Sequence, residues 1–260
     1  MDWLSVSRSI QTEKVDSLWL ICHASYIIRT ANTLWAVDPV LQADVHKVAD
    51  DTLYDTLSGL SFVLITHLHP DHFDPVLMEK LKGSSILWVL PDFMPEDIRK
   101  RILPLLGRYR FVHADEKLQL GDATITVFES CHSDVFEGKL YEVPEYGYRV
   151  HIGGRSFLFP VDVRNYTPQG NHAPVDELFL HVWLGRKKAL NPEIEMINNC
   201  ARYFLHFKPQ RVWLCHLYDY TRTAESMWTN THATMLSEVM HASAPEVSIC
   251  VPEHGVHIPL

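Results

Sequence analysis

Short apolar runs, each closed by Gly, Pro, Asn, Asp or His, recur along the whole chain. They predict strands at Leu18–Ile21, Tyr26–Arg29, Leu34–Val37, Phe62–Ile65, Ile86–Leu90, Arg110–His113 and Ala123–Phe128. Further strands are predicted at Tyr148–Ile152, Ser156–Phe159, Leu178–Trp183, Arg211–Cys215 and Val247–Val251. Val, Ile, Leu, Phe and Trp dominate these runs, side chains that pack well on a pleated, buried surface. Gly153-Gly154, between two such runs, reads as a hairpin turn.

Helical spacing is rarer. Asp74-Pro75 followed by Val76, Leu77, Met78 and Leu81 predicts a helix with Asp74 as N-cap, Pro75 in the first position and Gly83 as its stop. Asn191-Pro192-Glu193 predicts the start of a second, whose apolar face is Ile194, Ile197, Ala201, Phe204 and Leu205, ended by Pro209. A third runs from His232 to about Ala242, with Met235, Leu236, Val239 and Met240 on one face. His206 and His241 fall in these helices and read as ordinary helix residues. Strands come first and are then interleaved with helices, in two halves of similar length. That order suits an α/β protein of two packed sheets with helices outside, a four-layer αββα sandwich.

The 260 residues, 47% hydrophobic and 21% charged, contain no repeat and no linker, so one domain over residues 1–260 is expected. A formal charge of −9, with no basic run longer than Arg186-Lys187-Lys188, argues against nucleic-acid binding, which needs a dense Lys/Arg surface. A small anionic substrate remains compatible, and homo-oligomerisation is left open. No apolar stretch approaches the roughly 18–20 residues that span a bilayer, and Met1-Asp2-Trp3 opens no signal peptide, so no membrane partner is expected. Cys22, Cys131, Cys200, Cys215 and Cys250 are widely spaced and odd in number, which fits a reduced, cytoplasmic setting. Cys22, Cys131 and Cys215 each precede a His. They read as small buried residues at strand ends, with thiolate ligation the alternative.

The strongest chemical signal is Thr66-His67-Leu68-His69-Pro70-Asp71-His72, on the loop between the strand at 62–65 and the helix capped by Asp74. In an extended loop, positions 67 and 69 face the same way and can grip one metal ion, while Asp71 and His72 follow as the chain turns and can reach a second. His132, Asp162 and His216 each stand just past an apolar strand, the same placement as His67. A carboxylate shared by two ions would fix their separation, and Asp162 suits that role. Taken singly, each of the three also reads as a cap or surface residue.

With these motifs the chain resembles the metallo-β-lactamase superfamily of metal-dependent hydrolases. Within it, the chain looks most like the branch containing L-ascorbate-6-phosphate lactonase. The opening stretch of that family appears as Cys22-His23-Ala24-Ser25-Tyr26 and Val37-Asp38-Pro39, and the central motif as Thr66 to His72. The resemblance implies an αββα fold and a hydrolytic dinuclear site. His67, His69 and His132 would hold one ion, Asp71, His72 and His216 the other, with Asp162 between them. Zn²⁺, Mn²⁺ and Fe all suit imidazole and carboxylate donors. Cys22 and Val161 stand where the family commonly has Gly, so the turns before His23 and Asp162 are expected to differ.

Such a pair of ions brings the pKa of a bound water toward neutrality, and Asp71 would orient that nucleophile or take its proton. Asp38 reads either as a turn residue before Pro39 or as the carboxylate that orients a ligand imidazole. His23, Arg164, Tyr218 and the turn Arg186-Lys187-Lys188 are candidate substrate contacts. Three functions fit: a hydrolase of a small lactone, ester or phosphoester, a redox di-iron enzyme, or a metal-binding protein with little turnover.

Overall fold

The computed structural model describes residues 2–41, 51–167, 173–219 and 221–260. They divide into two compact units, residues 1–116 with 253–260, and residues 117–252.

The first unit opens with helix α1 (Trp3–Thr12), capped by the Asp2 carboxylate on the Leu4 amide. Strands β1 (Ser17–Cys22), β2 (Ser25–Thr30) and β3 (Thr33–Val37) form an antiparallel meander. After α2 (Asp51–Leu57), strands β4 (Phe62–Leu64), β5 (Leu87–Pro91) and β6 (Arg108–Val112) extend the sheet in parallel, with α3 (Pro75–Lys80) and α4 (Glu96–Ile102) as crossovers. Strands β4 and β5 are apolar runs because both their faces are covered, whereas β6, at the edge of the sheet, exposes Arg108, Tyr109 and Arg110. Trp19, Val63 and Leu90 are buried in this unit's core beside Ile10 of α1 and Leu77 of α3. Asp74 caps α3 as expected: one carboxylate oxygen accepts the Val76 and Leu77 amides, and the other accepts Leu41.

The second unit begins with the antiparallel strands β7 (Lys117–Leu120) and β8 (Ala123–Glu129) and the exposed hairpin β9 (Ser133–Phe136)–β10 (Lys139–Glu142). Then β11 (Tyr146–Ile152) and β12 (Arg155–Val161) pair through Gly153-Gly154, whose φ values of 60° and 78° are those of a primed turn that ordinary side chains resist. From β12 the sheet continues in parallel through β13 (Val175–His181), β14 (Pro209–Cys215) and β15 (Ser248–Cys250). Helices α5 (Ile194–Leu205) and α6 (Asn230–Ser243) are the crossovers, and Phe204, Leu236 and Met240 are buried against Leu180 and Leu214. The chain returns as β16 (His257–Pro259) to the free side of β1 in the first unit.

Each unit is thus a seven-stranded sheet, antiparallel at one side and parallel at the other, with its own helices. This is the mixed α/β architecture that the strand order predicted. Two details differ. The second predicted helix starts at Ile194, with Glu193 and not Asn191 at its N-cap, and the Asn191 amide closes a turn onto the Lys188 carbonyl. The strand expected to reach Trp183 stops at His181. His206 is a helix C-cap and His241 lies inside α6.

Candidate metal centre

The donors sit where parallel strands end. In the second unit Val161 on β12 is in register with Leu180 on β13, and His181 with Cys215 on β14. Asp162, His181 and His216 therefore emerge side by side from three adjacent strands, which run about 4.8 Å apart. Their ligand atoms all lie within 4.8 Å of one another. Carboxyl ends of parallel strands are where open α/β sheets build their sites.

Asp162 is the hub of this unit. Its Oδ1 accepts a hydrogen bond from His181 Nδ1 at 2.9 Å and faces His216 Nε2 at 3.6 Å. Its Oδ2 faces His132 Nε2 at 3.9 Å and Arg164 Nη2 at 3.7 Å. Separations of 3.6–3.9 Å are too long for hydrogen bonds. They are about the spacing, ~3–4 Å, of two donors that each lie ~2 Å from a shared ion. The buried Glu145 completes the frame. Its Oε2 meets His132 Nδ1 at 3.0 Å, and its Oε1 accepts the Asp162 amide at 3.0 Å. With Nδ1 held by a carboxylate, His132 presents Nε2 as its ligand nitrogen.

In the first unit the same logic falls to Asp38, at the end of β3. Its Oδ2 meets His72 Nδ1 at 2.8 Å and accepts the Thr66 hydroxyl at 2.6 Å, while its Oδ1 accepts the Thr66 amide at 2.8 Å. Because the Thr66 hydroxyl gives its one proton to Asp38, it accepts from His67 Nδ1, 3.0 Å away. His67 and His72 are thus both set to offer Nε2. The rings of His67 and His69 lie 4.6 Å apart, and those of His67 and His72 4.2 Å. The backbone turns here, the His72 and Phe73 amides both bonding the His69 carbonyl. Asp71 is half-buried on this loop, and its carboxylate is not among the clustered donor atoms.

Backbone strain gathers at these strand ends. Asp38 (φ 44°), Val161 (φ 66°), His216 (φ 62°) and Tyr218 (φ 57°) all occupy the left-handed region. Val161 is the costliest, because a β-branched side chain clashes there. The turn before Asp162, expected to differ from a Gly-bearing one, is therefore strained. Before His23 the β1–β2 register shifts between Leu20 and Cys22.

Of the candidate substrate contacts, Arg164 lies beside Asp162. His23 is buried in the β1–β2 turn, its ring 3.6 Å from Cys22 Sγ. The Tyr218 hydroxyl accepts the Asn230 amide at the start of α6. The basic turn is neutralised locally: Arg186 makes a bidentate pair with Asp134 and Lys188 an ion pair with Glu193. No cysteine falls in a donor group among the described residues. Burial raises the Cys131 thiol and pushes Cys200 up to about 12, so both stay protonated near neutrality. None of the five cysteines forms a disulfide among the described residues.

Two residues escaped the sequence reading. His181 was hidden inside an apolar run read through to Trp183. Glu145 sits between Pro144 and Tyr146 with no periodic signal, and only the pairing of β11 with β8 and β12 places it.

A family model for the beta-lactamase superfamily domain matches residues 34–217. The chain belongs to this metallo-β-lactamase superfamily. A UPF0173 protein of Pyrococcus abyssi is 26% identical over 111 residues, 42% of this chain and 46% of that protein. Protein Rv0786c of Mycobacterium tuberculosis is 32% identical over 85 residues, 31% of this chain and 35% of that one. The chain spans less than half the length of these curated relatives.

Among solved structures, Igni18, a metallo hydrolase of Ignicoccus hospitalis, has a TM-score of 0.64 at 16% identity, covering 94% of this chain and 98% of that one. CmlA, a diiron β-hydroxylase from Streptomyces venezuelae, has a TM-score of 0.68 at 18% identity, covering 96% of this chain and 55% of that one. These likenesses establish the metallo-β-lactamase fold. No helix among the described residues is long and apolar enough to cross a membrane.

Proposed function

We propose that this protein is a metal-dependent hydrolase with a dinuclear centre. His67, His69 and His132 would hold one ion and Asp71, His72 and His216 the other, with Asp162 available to both. The observation that carries this reading is the Asp162 carboxylate, whose two oxygens face different imidazoles, His132 and His216. The donor set fits such ions: the buried imidazoles His72 and His132 have Nδ1 fixed by a carboxylate, and no thiolate is required. Zn²⁺ and Mn²⁺ suit it, as does Fe.

When bound, two ions would supply a hydroxide near neutral pH and a Lewis acid for the substrate oxygen. Asp71 orients the nucleophile and takes up its proton. His181 is a positioning residue that fixes the rotamer of Asp162 through its 2.9 Å bond. The substrate class is a small lactone, ester or phosphoester, in keeping with the lactonase-like branch that the sequence resembles. Arg164, His23 and Tyr218 are the proposed substrate contacts.

A redox di-iron enzyme is the second reading, because imidazole and carboxylate donors also suit iron and the fold is shared with CmlA. Elemental analysis combined with a panel of lactones, esters and phosphodiesters tests both. Two ions per chain and turnover of one class support the hydrolase. A coloured iron protein inert toward the panel supports the second reading, and a metal-loaded protein inert in both assays defeats the two together.

A further inference from the structure

Within the second unit lies a cavity of about 590 Å³, a size that suits a small molecule. Its wall grows out of the strand ends that carry the donors. Ser133, which follows His132, lines it, as do Arg164, two residues after Asp162, and Trp183, two residues after His181. Met196 of α5 adds an apolar surface. So do Val135 and Leu140 of the β9–β10 hairpin, which are 70% and 64% exposed, unusual for such side chains.

Arg164 is the lining cation. Its side chain is only 12% exposed, and Nη2 lies 3.7 Å from Asp162 Oδ2, an ion pair beyond hydrogen-bond range. Its buried Nε has no hydrogen-bond partner among the described residues, and its guanidinium stands 5.8 Å from the centre of the Trp183 ring. A guanidinium carries five donors in a planar fork that matches two oxygens of one acid group. Here that fork is mostly desolvated and underused. The lining anion does not compete, because Asp134 is taken by Arg186 in a bidentate pair.

We infer that this cavity receives the non-reacting part of the substrate, an amphipathic acid. Its carboxylate or phosphate-type oxygens meet Arg164, and its flat apolar body lies against Trp183 and Met196. Calling the occupant a substrate rests on the hydrolase reading, whereas its binding does not.

Calorimetric titration of the metal-loaded protein with phenylacetate, phenylphosphonate and the uncharged benzyl alcohol tests this. Both acids should bind more tightly than the alcohol, and the ratio between them tells carboxylate from phosphate-type ligands. Arg164→Met should weaken both acids by about tenfold or more and leave the alcohol unchanged, as expected for a lost charge-assisted pair. Trp183→Leu should weaken all three. If Arg164→Met fails to fold, Arg164→Lys keeps the charge without the planar fork and should still weaken both acids.

Failure of both acids to bind the wild type, or unchanged acid affinity in the Arg164 variants, overturns the proposal. Acid binding without turnover of any ester would instead defeat the hydrolase reading and leave this cavity standing.

Discussion

Asp38 and His72 lie 34 positions apart, yet Oδ2 of one and Nδ1 of the other are 2.8 Å apart, with both side chains almost fully buried. The same oxygen takes the Thr66 hydroxyl, and through it Asp38 also orients His67. One carboxylate at a strand end thus sets two imidazoles. Asn tolerates left-handed backbone, so Asp38→Asn should fold. It removes the charge that fixes the tautomers, and metal affinity should drop by about 10–100-fold. Competition against a chromogenic chelator measures this, and wild-type affinity would reduce Asp38 to a turn residue.

Asp162→Ala removes the negative charge proposed to lie between two cations. The expected outcome is loss of one of two bound ions and of several orders of magnitude in turnover, with the thermal midpoint of the metal-free protein close to wild type. Elemental analysis of the purified variant decides it. Two retained ions with full turnover would show that the carboxylate does not bridge.

Val161 combines near-complete burial, 2% exposed, with φ 66°. Strain of about 1–3 kcal/mol at such a position opposes the roughly 1.5–3 kcal/mol gained by burying a valine. Val161→Gly should therefore stay within about 1 kcal/mol of wild type in urea unfolding. Val150, fully buried in the middle of β11, has no such strain to relieve. Val150→Gly should cost about 3 kcal/mol or more, and equal losses at the two sites would mean that the Val161 backbone is relaxed.

Cys200 is fully buried, and burial holds its thiol near 12 in the folded chain. An unfolded thiol ionises near pH 8.5. Below that value both states are protonated and the stabilisation is complete. As pH rises further, the unfolded chain loses its proton first, so stability falls until the folded thiol also ionises. Urea midpoints between about pH 8.5 and 11 should decline more steeply for wild type than for Cys200→Ala. Parallel slopes would rule out this contribution.

Histidines outside the proposed set serve as controls. His206 caps α5, His241 lies in α6, His254 bridges to Leu20, and His257 Nε2 meets Ser17 Oγ at 2.9 Å. Single Ala substitutions should leave metal content unchanged. Loss of an ion in His254→Ala but not in His216→Ala would mean that the last ligand belongs to another strand end.

Local chemistry made much of this legible. The cap at Asp74, the glycine pair at 153–154 and the histidine-rich loop after β4 depend on neighbours in sequence, and a linear reading captures them. His132, Asp162 and His216 showed as donor-type residues at the ends of apolar runs. The strands that went unread, β7, β9, β10 and β16, are short, and β10 is exposed along its whole length, so no burial pattern marks them. Helix α1 buries only one stripe, from Trp3 to Ile10, and was likewise missed.

What the chain alone determined is which residue types stand at strand ends. Which of them share a site was decided by β-sheet register. A parallel pairing that aligns Val161 with Leu180 and His181 with Cys215 brings Asp162, His181 and His216 together, and a slip of one residue would turn each donor to the opposite face. Nothing within a single strand encodes that alignment, because it is fixed by the packing of three strands and two crossover helices at once.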